Sequence, residues 1–363
     1  MRIGGKNMKR IAVVGTQGVP AQYGGFESLV ENLIGEFRSA DVEYTVFCSA
    51  KDYDDRRKTF KGAKLRYIPL FHANGAQSIF YDILSLMCCI IGFDTVLVLG
   101  VSGGVFLPFF RLFFHKKLIV NIDGLEHTRA KWGGFAKWYL RLSEKLAVRC
   151  ADIVIADNKV IQRYVEEKYG KSSELIAYGG DHVLRNVSEE KQNSILNEYM
   201  LYKKGYALSI CRIEPENKCD ITLQAFAESG MPLVFIGNWN HSSYSKNLRF
   251  KYGMIHNIRI LDSIYDLDVL YTLRKNCRMY VHGHSAGGTN PSLVEAMFFG
   301  CPILAYGVEY NRETTFNMAH YYLDAEQLKE LSMNVKQNNG DLTDLTYHHY
   351  PWKNIIKQYE AIF

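Results

Sequence analysis

Residues 11–33, with the sequence IAVVGTQGVPAQYGGFESLVENL, decide the fold that this chain is expected to adopt. The apolar run Ile11–Val14 predicts a strand, and the spacing of apolar residues over Gly25–Phe37 predicts a helix with one apolar face. The loop Gly15–Gly25 between them carries four glycines. A strand, a glycine-rich loop and a helix in this order begin a βαβ unit, from which parallel sheets are built.

The same alternation continues along the chain. Further strands of the first half are predicted at Glu43–Cys48, Lys64–Ile68, Thr95–Leu99, Lys117–Asn121 and Asp152–Ala156. After the polar stretch Arg185–Glu198, which we interpret as a linker near residues 185–200, strands are predicted at Tyr206–Cys211, Leu233–Ile236, Asn257–Ile260, Arg278–His282 and Pro302–Ala305. Helices are predicted at Cys219–Glu228, Asp266–Asn276, Pro291–Phe299 and, with an amphipathic pattern, Trp352–Phe363. The sequence therefore predicts an α/β protein with two doubly wound lobes, residues 1–185 and 200–350, each with a mainly parallel sheet.

Composition excludes several classes of protein. The chain has 363 residues, 47% of them hydrophobic, which favours two domains with sizeable cores over a disordered chain. Its net charge is only +5 and no dense basic block occurs, so nucleic-acid binding is not expected. The eight cysteines contain no CxxC motif, which fits a reduced, cytoplasmic setting without structural zinc. No apolar stretch is long enough to predict a membrane span.

Polar residues follow two predicted strands of the first lobe, where ligands bind open parallel sheets. The loop Gly15–Gly25 brings flexible backbone to a helix start that favours an anion, although it matches neither GxGxxG nor a P-loop. A glycine-rich turn that binds no ligand is an equally good interpretation of this loop. After the strand Lys117–Asn121 come Asp123, Glu126, His127 and Arg129, a set that could bind hydroxyls or transfer a proton. The alternative is a helix-capping turn with solvated charges.

Three regions of the second lobe carry similar signals. Arg212 and Lys218 could bind a diphosphate, or they could belong to a charged surface loop. The loop from His282 leads to a helix starting at Pro291, whose amides would face an anion, and Glu295 lies one turn further, where it could hold a ribose diol. The HxH pattern has no evident third ligand, so we expect no metal. Residues that could flank a nucleobase are Asn238, Ile264 and Tyr265. With two such lobes, the cleft between them is the expected site.

Six strings, in this order, resemble family-4 glycosyltransferases of the GT-B fold, and more narrowly their bacterial rhamnosyltransferase-like subgroup. They are VVGTQGVPAQYGGFESLVENL (13–33), NIDGLEHTRAKW (121–132), RIEPENK (212–218), FIGNWN (235–240), LDSIYD (261–266) and HSAGGTNPSLVEAM (284–297). The resemblance spans nearly the whole chain. It implies an acceptor-binding first lobe (1–185, completed by a C-terminal helix at 351–363 that crosses back to it) and a nucleotide-sugar-binding second lobe (200–350).

The resemblance also implies roles for individual residues. Arg212 and Lys218 would clamp the donor diphosphate, and Asp123 and Glu126 would act on or orient the acceptor. The donor side would further include Gly18, Gly180, Asn238, Ile264, Tyr265, Gly288, Thr289, Asn290 and Glu295. The acceptor side would include Gly24, Gly25, His127 and Arg129. The first glutamate of the family's E-x7-E motif falls on Gly287 here, which could suit a deoxysugar donor.

The activity implied is a retaining transfer of a sugar, L-rhamnose from dTDP-rhamnose in particular, onto a lipid-diphosphate-linked saccharide of a bacterial capsule, O-antigen or rhamnan, with no cofactor and no obligatory metal. The aromatic and basic segments Phe106–Lys117 and Lys131–Arg141 suit attachment to the inner face of the cytoplasmic membrane, although the first could equally be a buried helix. Alternatives left open are a transferase that uses another UDP- or GDP-sugar, a nucleotide-sugar 2-epimerase, and a non-catalytic nucleotide-binding protein. Replacing Arg212, Lys218 or Glu295 with alanine is expected to reduce transfer and leave the fold intact.

Overall fold

A computed structural model of the chain describes residues 8–22, 24–69, 77–129, 132–336 and 340–363. The chain divides into two compact units. The N-terminal unit comprises Met1–Tyr178 and Trp352–Phe363, and the C-terminal unit comprises Gly179–Pro351.

Strands and helices alternate through the N-terminal unit. They are β1 (Lys9–Val14), α1 (Gly25–Leu33), β2 (Val42–Ser49), β3 (Thr59–Phe60), β4 (Ala63–Ile68), α2 (Gln77–Cys88), β5 (Thr95–Leu99), α3 (Leu107–Phe113), β6 (Lys117–Asn121), α4 (Gly134–Cys150), β7 (Ile153–Ala156), α5 (Lys159–Tyr169) and β8 (Glu174–Leu175). Within the described residues the strands form one sheet in the order β3-β4-β2-β1-β5-β6-β7-β8, parallel except between β3 and β4. Residues 11–14 of the central strand β1 are fully buried, because helices cover both faces of such a sheet.

The C-terminal unit repeats this plan. Its elements are α6 (Glu189–Glu198), β9 (Ala207–Ile210), α7 (Cys219–Ser229), β10 (Leu233–Ile236), α8 (Ser243–Tyr252), β11 (Ile258–Leu261), α9 (Leu267–Asn276), β12 (Met279–His282), α10 (Pro291–Met297), β13 (Ile303–Tyr306), α11 (Glu309–Thr314), β14 (His320–Tyr322), α12 (Ala325–Asn334) and α13 (Gly340–His349). The described strands form a parallel sheet in the order β11-β10-β9-β12-β13-β14. The prediction of two doubly wound parallel-sheet lobes is confirmed.

The last helix, α14 (Trp352–Ala361), returns to the N-terminal unit, as predicted. Its apolar face contributes Ile355, Ile356 and Tyr359 to the core of that unit. Beyond its end, the carbonyl of Phe363 accepts a hydrogen bond of 2.7 Å from Lys9 Nζ. The amphipathic pattern thus predicts both the helix and the face that it buries.

The interpretation of the stretch near residues 185–200 as a linker is wrong, because most of this stretch folds as helix α6. Ser188 caps this helix by accepting a hydrogen bond from the amide of Lys191, and Ile195 and Leu196 are buried. Two adjacent apolar residues in a polar stretch are a weak signal, which is why the pattern missed the helix. Helix α1 is also shorter than predicted, since it ends at Leu33, two residues before Gly35. Among the described residues, no helix has both the length and the apolar character that a membrane span requires.

Candidate active site

In the C-terminal unit, the loops that follow β9 and β12 lie side by side at the carboxyl edge of the sheet. The two strands are neighbours, and the strand order reverses between them. Ligands of open parallel sheets bind at such a reversal. Residues 211–218 and 283–290 therefore form the candidate donor site, and both loops carry residues that the sequence singled out.

Direct hydrogen bonds hold these two loops together. Asn217 Oδ1 lies 2.6 Å from His284 Nδ1, and the amide and hydroxyl of Ser285 both donate to the carbonyl of Glu216 at 2.8 Å. A Cβ on Gly283 would lie 2.1 Å from the carbonyl oxygen of Asn217, so only glycine permits this approach. The sequence did not single out Asn217 or Gly283, although Asn217 lies in the segment 212–218 and Gly283 in the loop that begins at His282.

Arg212 and Lys218 lie at either end of the loop after β9. Arg212 is exposed, and Lys218 has left-handed backbone (φ 48°) at the start of α7. In the described part of the chain, neither side chain has an acidic partner in an ion pair; the ammonium of Lys218 lies 5.4 Å from the centre of the Tyr306 ring. Two cations without acidic partners on one short loop can bind a diphosphate, Arg through paired N–H groups and Lys as a point charge.

The glycine-rich loop before α10 is shaped mainly by its backbone. Gly287 has φ +100°, a conformation that side chains other than glycine rarely adopt. A glutamate at this position would therefore be strained. Gly288 and Thr289 are buried beside it, and Thr289 is only 4% exposed.

The prediction that the start of α10 presents free amides is wrong. Asn290 caps the helix, because its Oδ1 accepts hydrogen bonds from the amide and the hydroxyl of Ser292 at 3.0 and 2.8 Å. The amides of Leu293 and Val294 donate to the carbonyl of Asn290. A capping side chain satisfies the groups that an anion would otherwise reach.

Glu295 lies in α10 with two cationic neighbours that the sequence did not reveal. Its carboxylate bonds to the guanidinium of Arg274, whose side chain is 5% exposed, and lies 3.5 Å from Nε2 of His182. Burial by itself raises the pKa of Glu295, but Arg274 and His182 outweigh it and hold the pKa below its ordinary value. The carboxylate is therefore ionised and can still accept hydrogen bonds from ribose hydroxyls. Nearby Gly180 packs closely, since a Cβ there would lie 2.8 Å from Val294 Cγ1.

Replacing Glu295 with glutamine tests this arrangement. We expect the KM for the donor to rise about tenfold, because a charged acceptor of the ribose is lost. The free energy of unfolding should fall by about 2 kcal/mol, because Arg274 keeps a buried charge without its partner. We therefore expect Glu295 to contribute to the stability of the fold as well as to donor binding.

The double variant Glu295→Gln/Arg274→Met separates the two effects. It should recover stability in chemical denaturation but keep the raised KM. Recovery of both the stability and the parent KM would mean that Glu295 stabilises the fold and does not bind the donor.

The three residues predicted to flank a nucleobase follow β10 and β11, which are paired in the sheet. Asn238 is exposed and accepts a hydrogen bond of 3.2 Å from the amide of Asn240. Ile264 is half-buried, and Tyr265 is 68% exposed. Trp239, which follows Asn238, is fully buried, and its Nε1 donates a hydrogen bond of 3.0 Å to the carbonyl of Leu261 at the end of β11. The base-binding role of the three residues stays a prediction.

In the N-terminal unit, the glycines after β1 serve close packing. A Cβ on Gly18 would lie 2.8 Å from the side chain of Cys48. The carboxylate of Glu27 accepts hydrogen bonds from the hydroxyl of Thr16 (3.0 Å) and the amide of Gln17 (2.8 Å). A Cβ on Gly24 would lie 2.1 Å from Oε2 of Glu27, so this carboxylate fills the space beside Gly24. A buried carboxylate thus stands at the start of α1, next to Gly25, and opposes the anion predicted there.

The loop after β5 was missed by sequence reasoning, which counted its glycines only as breaks in an apolar region. β5 is the neighbour of β1, and the strand order reverses between them. In this loop, Ser102 and the amide of Gly103 donate to the carboxylate of Asp82 from α2. Burial raises the pKa of Asp82 to about 7, although these hydrogen bonds lower it in part. The usable signal was Gly100, Gly103 and Gly104 directly after an apolar strand.

The predicted acceptor residues after β6 lie in different environments. Asp123 is half-buried with left-handed backbone (φ 59°), and its amide donates to Asn121 Oδ1 at 3.0 Å. A non-glycine residue held in this conformation is common at functional sites. Glu126 and Arg129 form an ion pair of 2.9 Å, so each neutralises the other. The roles of Asp123 and Glu126 toward an acceptor stay predictions.

His127 is 6% exposed and belongs to a buried network. Its Nδ1 lies 3.1 Å from Glu144 Oε2, and the other carboxylate oxygen accepts hydrogen bonds of 2.6 Å from the hydroxyls of Tyr164 and Tyr169. Burial raises the pKa of Glu144, but the bonds from His127 and the two tyrosines outweigh it and lower the pKa to about 2. His127 thereby anchors its loop to α4, a role that sequence reasoning did not foresee.

Two regions of the chain match known families. Residues 8–181 match a family described as Domain of unknown function (DUF1972), and residues 192–337 match Glycosyl transferases group 1. None of the curated proteins compared with the chain matches it in sequence.

Solved structures share the fold over the full length. Sucrose-phosphate synthase from Thermosynechococcus elongatus is 16% identical with a TM-score of 0.79, and 98% of each chain is covered. HepE of Anabaena in complex with UDP-glucose is 12% identical with a TM-score of 0.74, again over 98% of each chain. A putative UDP-N-acetylglucosamine 2-epimerase from Listeria monocytogenes is 13% identical with a TM-score of 0.63, over 98% of this chain and 95% of that one. At such identities the likeness concerns the fold alone. The matched transferase domain and the two parallel-sheet units make the chain a glycosyltransferase of the GT-B type.

Proposed function

We propose that this GT-B glycosyltransferase moves L-rhamnose from dTDP-rhamnose onto a lipid-diphosphate-linked saccharide, with retention of configuration. The reaction takes place at the inner face of the bacterial cytoplasmic membrane and serves the synthesis of a surface polysaccharide. The resemblance of six sequence strings to the rhamnosyltransferase-like subgroup supports the sugar. The complex of HepE with UDP-glucose supports a nucleotide-sugar donor for this fold.

The pair Arg212 and Lys218 carries the proposal. Breaking the bond between the sugar and the diphosphate leaves negative charge on the departing nucleotide. Fixed cations beside that charge stabilise the transition state without rearranging. Both residues lie at the strand-order reversal of the C-terminal unit, and neither has an acidic ion-pair partner among the described residues. With two protein cations in this role, the reaction requires no metal.

The glycine-rich loop supports a deoxysugar. L-Rhamnose has no hydroxyl at carbon 6, so it needs one hydrogen-bond acceptor fewer than a hexose that retains it. Gly287 stands where the resemblance would place a carboxylate, and its positive φ disfavours any side chain there. A glucose-type donor would lose a charged contact at this position.

In the transfer step, an acceptor hydroxyl oxygen bonds to carbon 1 of the sugar while the bond from carbon 1 to the diphosphate oxygen breaks. The acceptor proton passes to the departing diphosphate, so no protein base is required. The acceptor approaches from the face that the leaving group vacates, which retains the configuration. Asp123 orients the acceptor hydroxyl, and Glu126, paired with Arg129, holds the loop that carries it.

A thermal-shift panel with dTDP, UDP, GDP and ADP tests the donor. We expect dTDP to raise the Tm by about 5 °C in the presence of EDTA, because a ligand that binds only the folded state stabilises it. The variant Arg212→Met/Lys218→Met should lose this shift.

The other outcomes identify other functions. A shift with UDP or GDP but not dTDP would keep the transferase and change the sugar. Conversion of a free nucleotide-sugar without any acceptor would indicate a 2-epimerase. Nucleotide binding without turnover of any donor would indicate a non-catalytic protein.

A further inference from the structure

Helices α2, α3 and α4 lie on one face of the sheet of the N-terminal unit. The chain passes from β4 to β5, β6 and β7 in one direction across the sheet, and right-handed crossovers place all three helices on the same side. The loop after β5 joins them, since Ser102 donates to Asp82 of α2 and its carbonyl accepts a hydrogen bond of 2.7 Å from Tyr139 of α4. Surface residues of these helices therefore belong to one continuous face.

This face exposes an aromatic patch, defined here as Phe109, Leu112 and Phe113 of α3 with Phe135 and Trp138 of α4. The exposed fractions are 52%, 72%, 55%, 80% and 57%. The rings pack within each helix, with centroids 4.7 Å apart for Phe109 and Phe113 of α3 and 5.8 Å apart for Phe135 and Trp138 of α4. The alternative interpretation of segment 106–117 was a buried helix. Only Leu107 and Phe110, on the inner face of α3, are buried in this way. An exposed patch of this kind marks a contact surface.

Basic residues continue the patch along α4. Arg141 and Lys145 follow Trp138 at helical spacing on the exposed face. The only acid of α4 is Glu144, which is buried and bonded to His127. Within the described residues, neither Arg141 nor Lys145 takes part in an ion pair. The face thus combines exposed aromatic groups with cations that lack acidic partners.

The patch lies next to the predicted acceptor loop. Helix α4 starts shortly after Arg129, and Trp132 Nε1 lies 3.4 Å from Glu126 Oε2. The buried contact between His127 and Glu144 ties the same loop to the middle of the helix. A molecule that covers the start of α4 therefore lies near the loop that carries Glu126 and His127.

We infer that α3 and α4 dock the chain on the surface of an anionic phospholipid bilayer. Aromatic side chains insert at the level of the headgroups, and the basic residues attract anionic lipids. A second copy of the chain is the less fitting occupant, because a two-fold contact would bring the basic rows of both copies together. This inference rests on the proposed function, which places the reaction at the membrane, and it adds the surface of the chain that contacts the lipid.

Flotation of the full chain with vesicles tests the inference. We expect binding to vesicles of phosphatidylcholine with phosphatidylglycerol at low salt, and weak binding to phosphatidylcholine alone. Arg141→Gln/Lys145→Gln should lower the partition coefficient about 30-fold, because each cation near an anionic surface contributes about a factor of five. Leu112→Ser/Phe113→Ser should lower it about 30-fold or more through lost apolar insertion.

Phe250→Ser provides the matched control, since Phe250 is 90% exposed in the C-terminal unit. It should bind as the parent chain does. Equal binding by all variants, or no binding to anionic vesicles, would overturn the inference. A dimer of the parent chain that dissociates in both the α3 and the α4 variants, measured by size-exclusion chromatography, would overturn it too. The dTDP thermal shift in the absence of vesicles is unaffected by these variants, so a failure of docking is distinguishable from a failure of the proposed donor.

Discussion

Replacing Arg212 with methionine is expected to lower the kcat of sugar transfer about 100- to 1,000-fold, the effect of removing one preorganised donor to a developing negative charge. Lys218→Met should have a similar effect, and the double variant should lose more than either. The reason is that the diphosphate gains charge as the bond to the sugar breaks, so these contacts are stronger in the transition state than in the bound donor. The measurement is the initial rate of transfer at saturating donor.

Two controls separate the diphosphate role from general effects. Lys246→Met removes an exposed cation of α8 and should leave kcat unchanged. Arg212→Lys keeps the charge but loses the paired N–H groups, so it should recover only part of the rate. If the folded Arg212→Met/Lys218→Met variant turned over at the parent rate, these residues would not bind the diphosphate.

The strands were predictable because their apolar runs are buried on both faces of a parallel sheet. Thr95–Leu99, Lys117–Asn121 and Leu233–Ile236 were predicted with the ends that the structure has. Their strength as signals comes from length and β-branched content, which depend on local sequence alone. Because ligands of parallel sheets bind beyond the carboxyl ends of the strands, the strand ends also predict which loops carry the chemistry.

The partners of the site residues were not predictable in the same way. Glu295 meets Arg274, which lies 21 positions earlier, and His182, which belongs to a different loop. Glu27 occupies the start of α1 because the loop Gly15–Gly25 folds back over it. Such pairings arise when elements pack, and no periodicity in the sequence records them. For this reason, the sequence did not reveal the carboxylate of Glu27 at the start of α1, although the helix itself was predicted.

The network around Glu144 carries the second large effect. Glu144→Gln should lower the free energy of unfolding at neutral pH by about 3 kcal/mol, because the buried His127 and the half-buried Tyr164 and Tyr169 lose a charged acceptor. Glu167→Gln, which changes an exposed glutamate of α5, should alter it by less than about 0.5 kcal/mol. Both values follow from chemical denaturation of the full chain.

The pH dependence identifies the carboxylate as the source of this stability. In the folded chain the pKa of Glu144 is about 2, below the ordinary value of 4.5, because the hydrogen bonds from His127 and the tyrosines outweigh the effect of burial. A depressed carboxyl pKa stabilises the fold above the unfolded pKa, and this stability disappears as the pH falls toward the folded pKa. The difference between the parent chain and Glu144→Gln should therefore be constant above about pH 5 and shrink between pH 4.5 and 2. A difference that stayed constant through this range would mean that glutamine is disfavoured for its shape, and that the charge of Glu144 does not hold the loop of His127 in place.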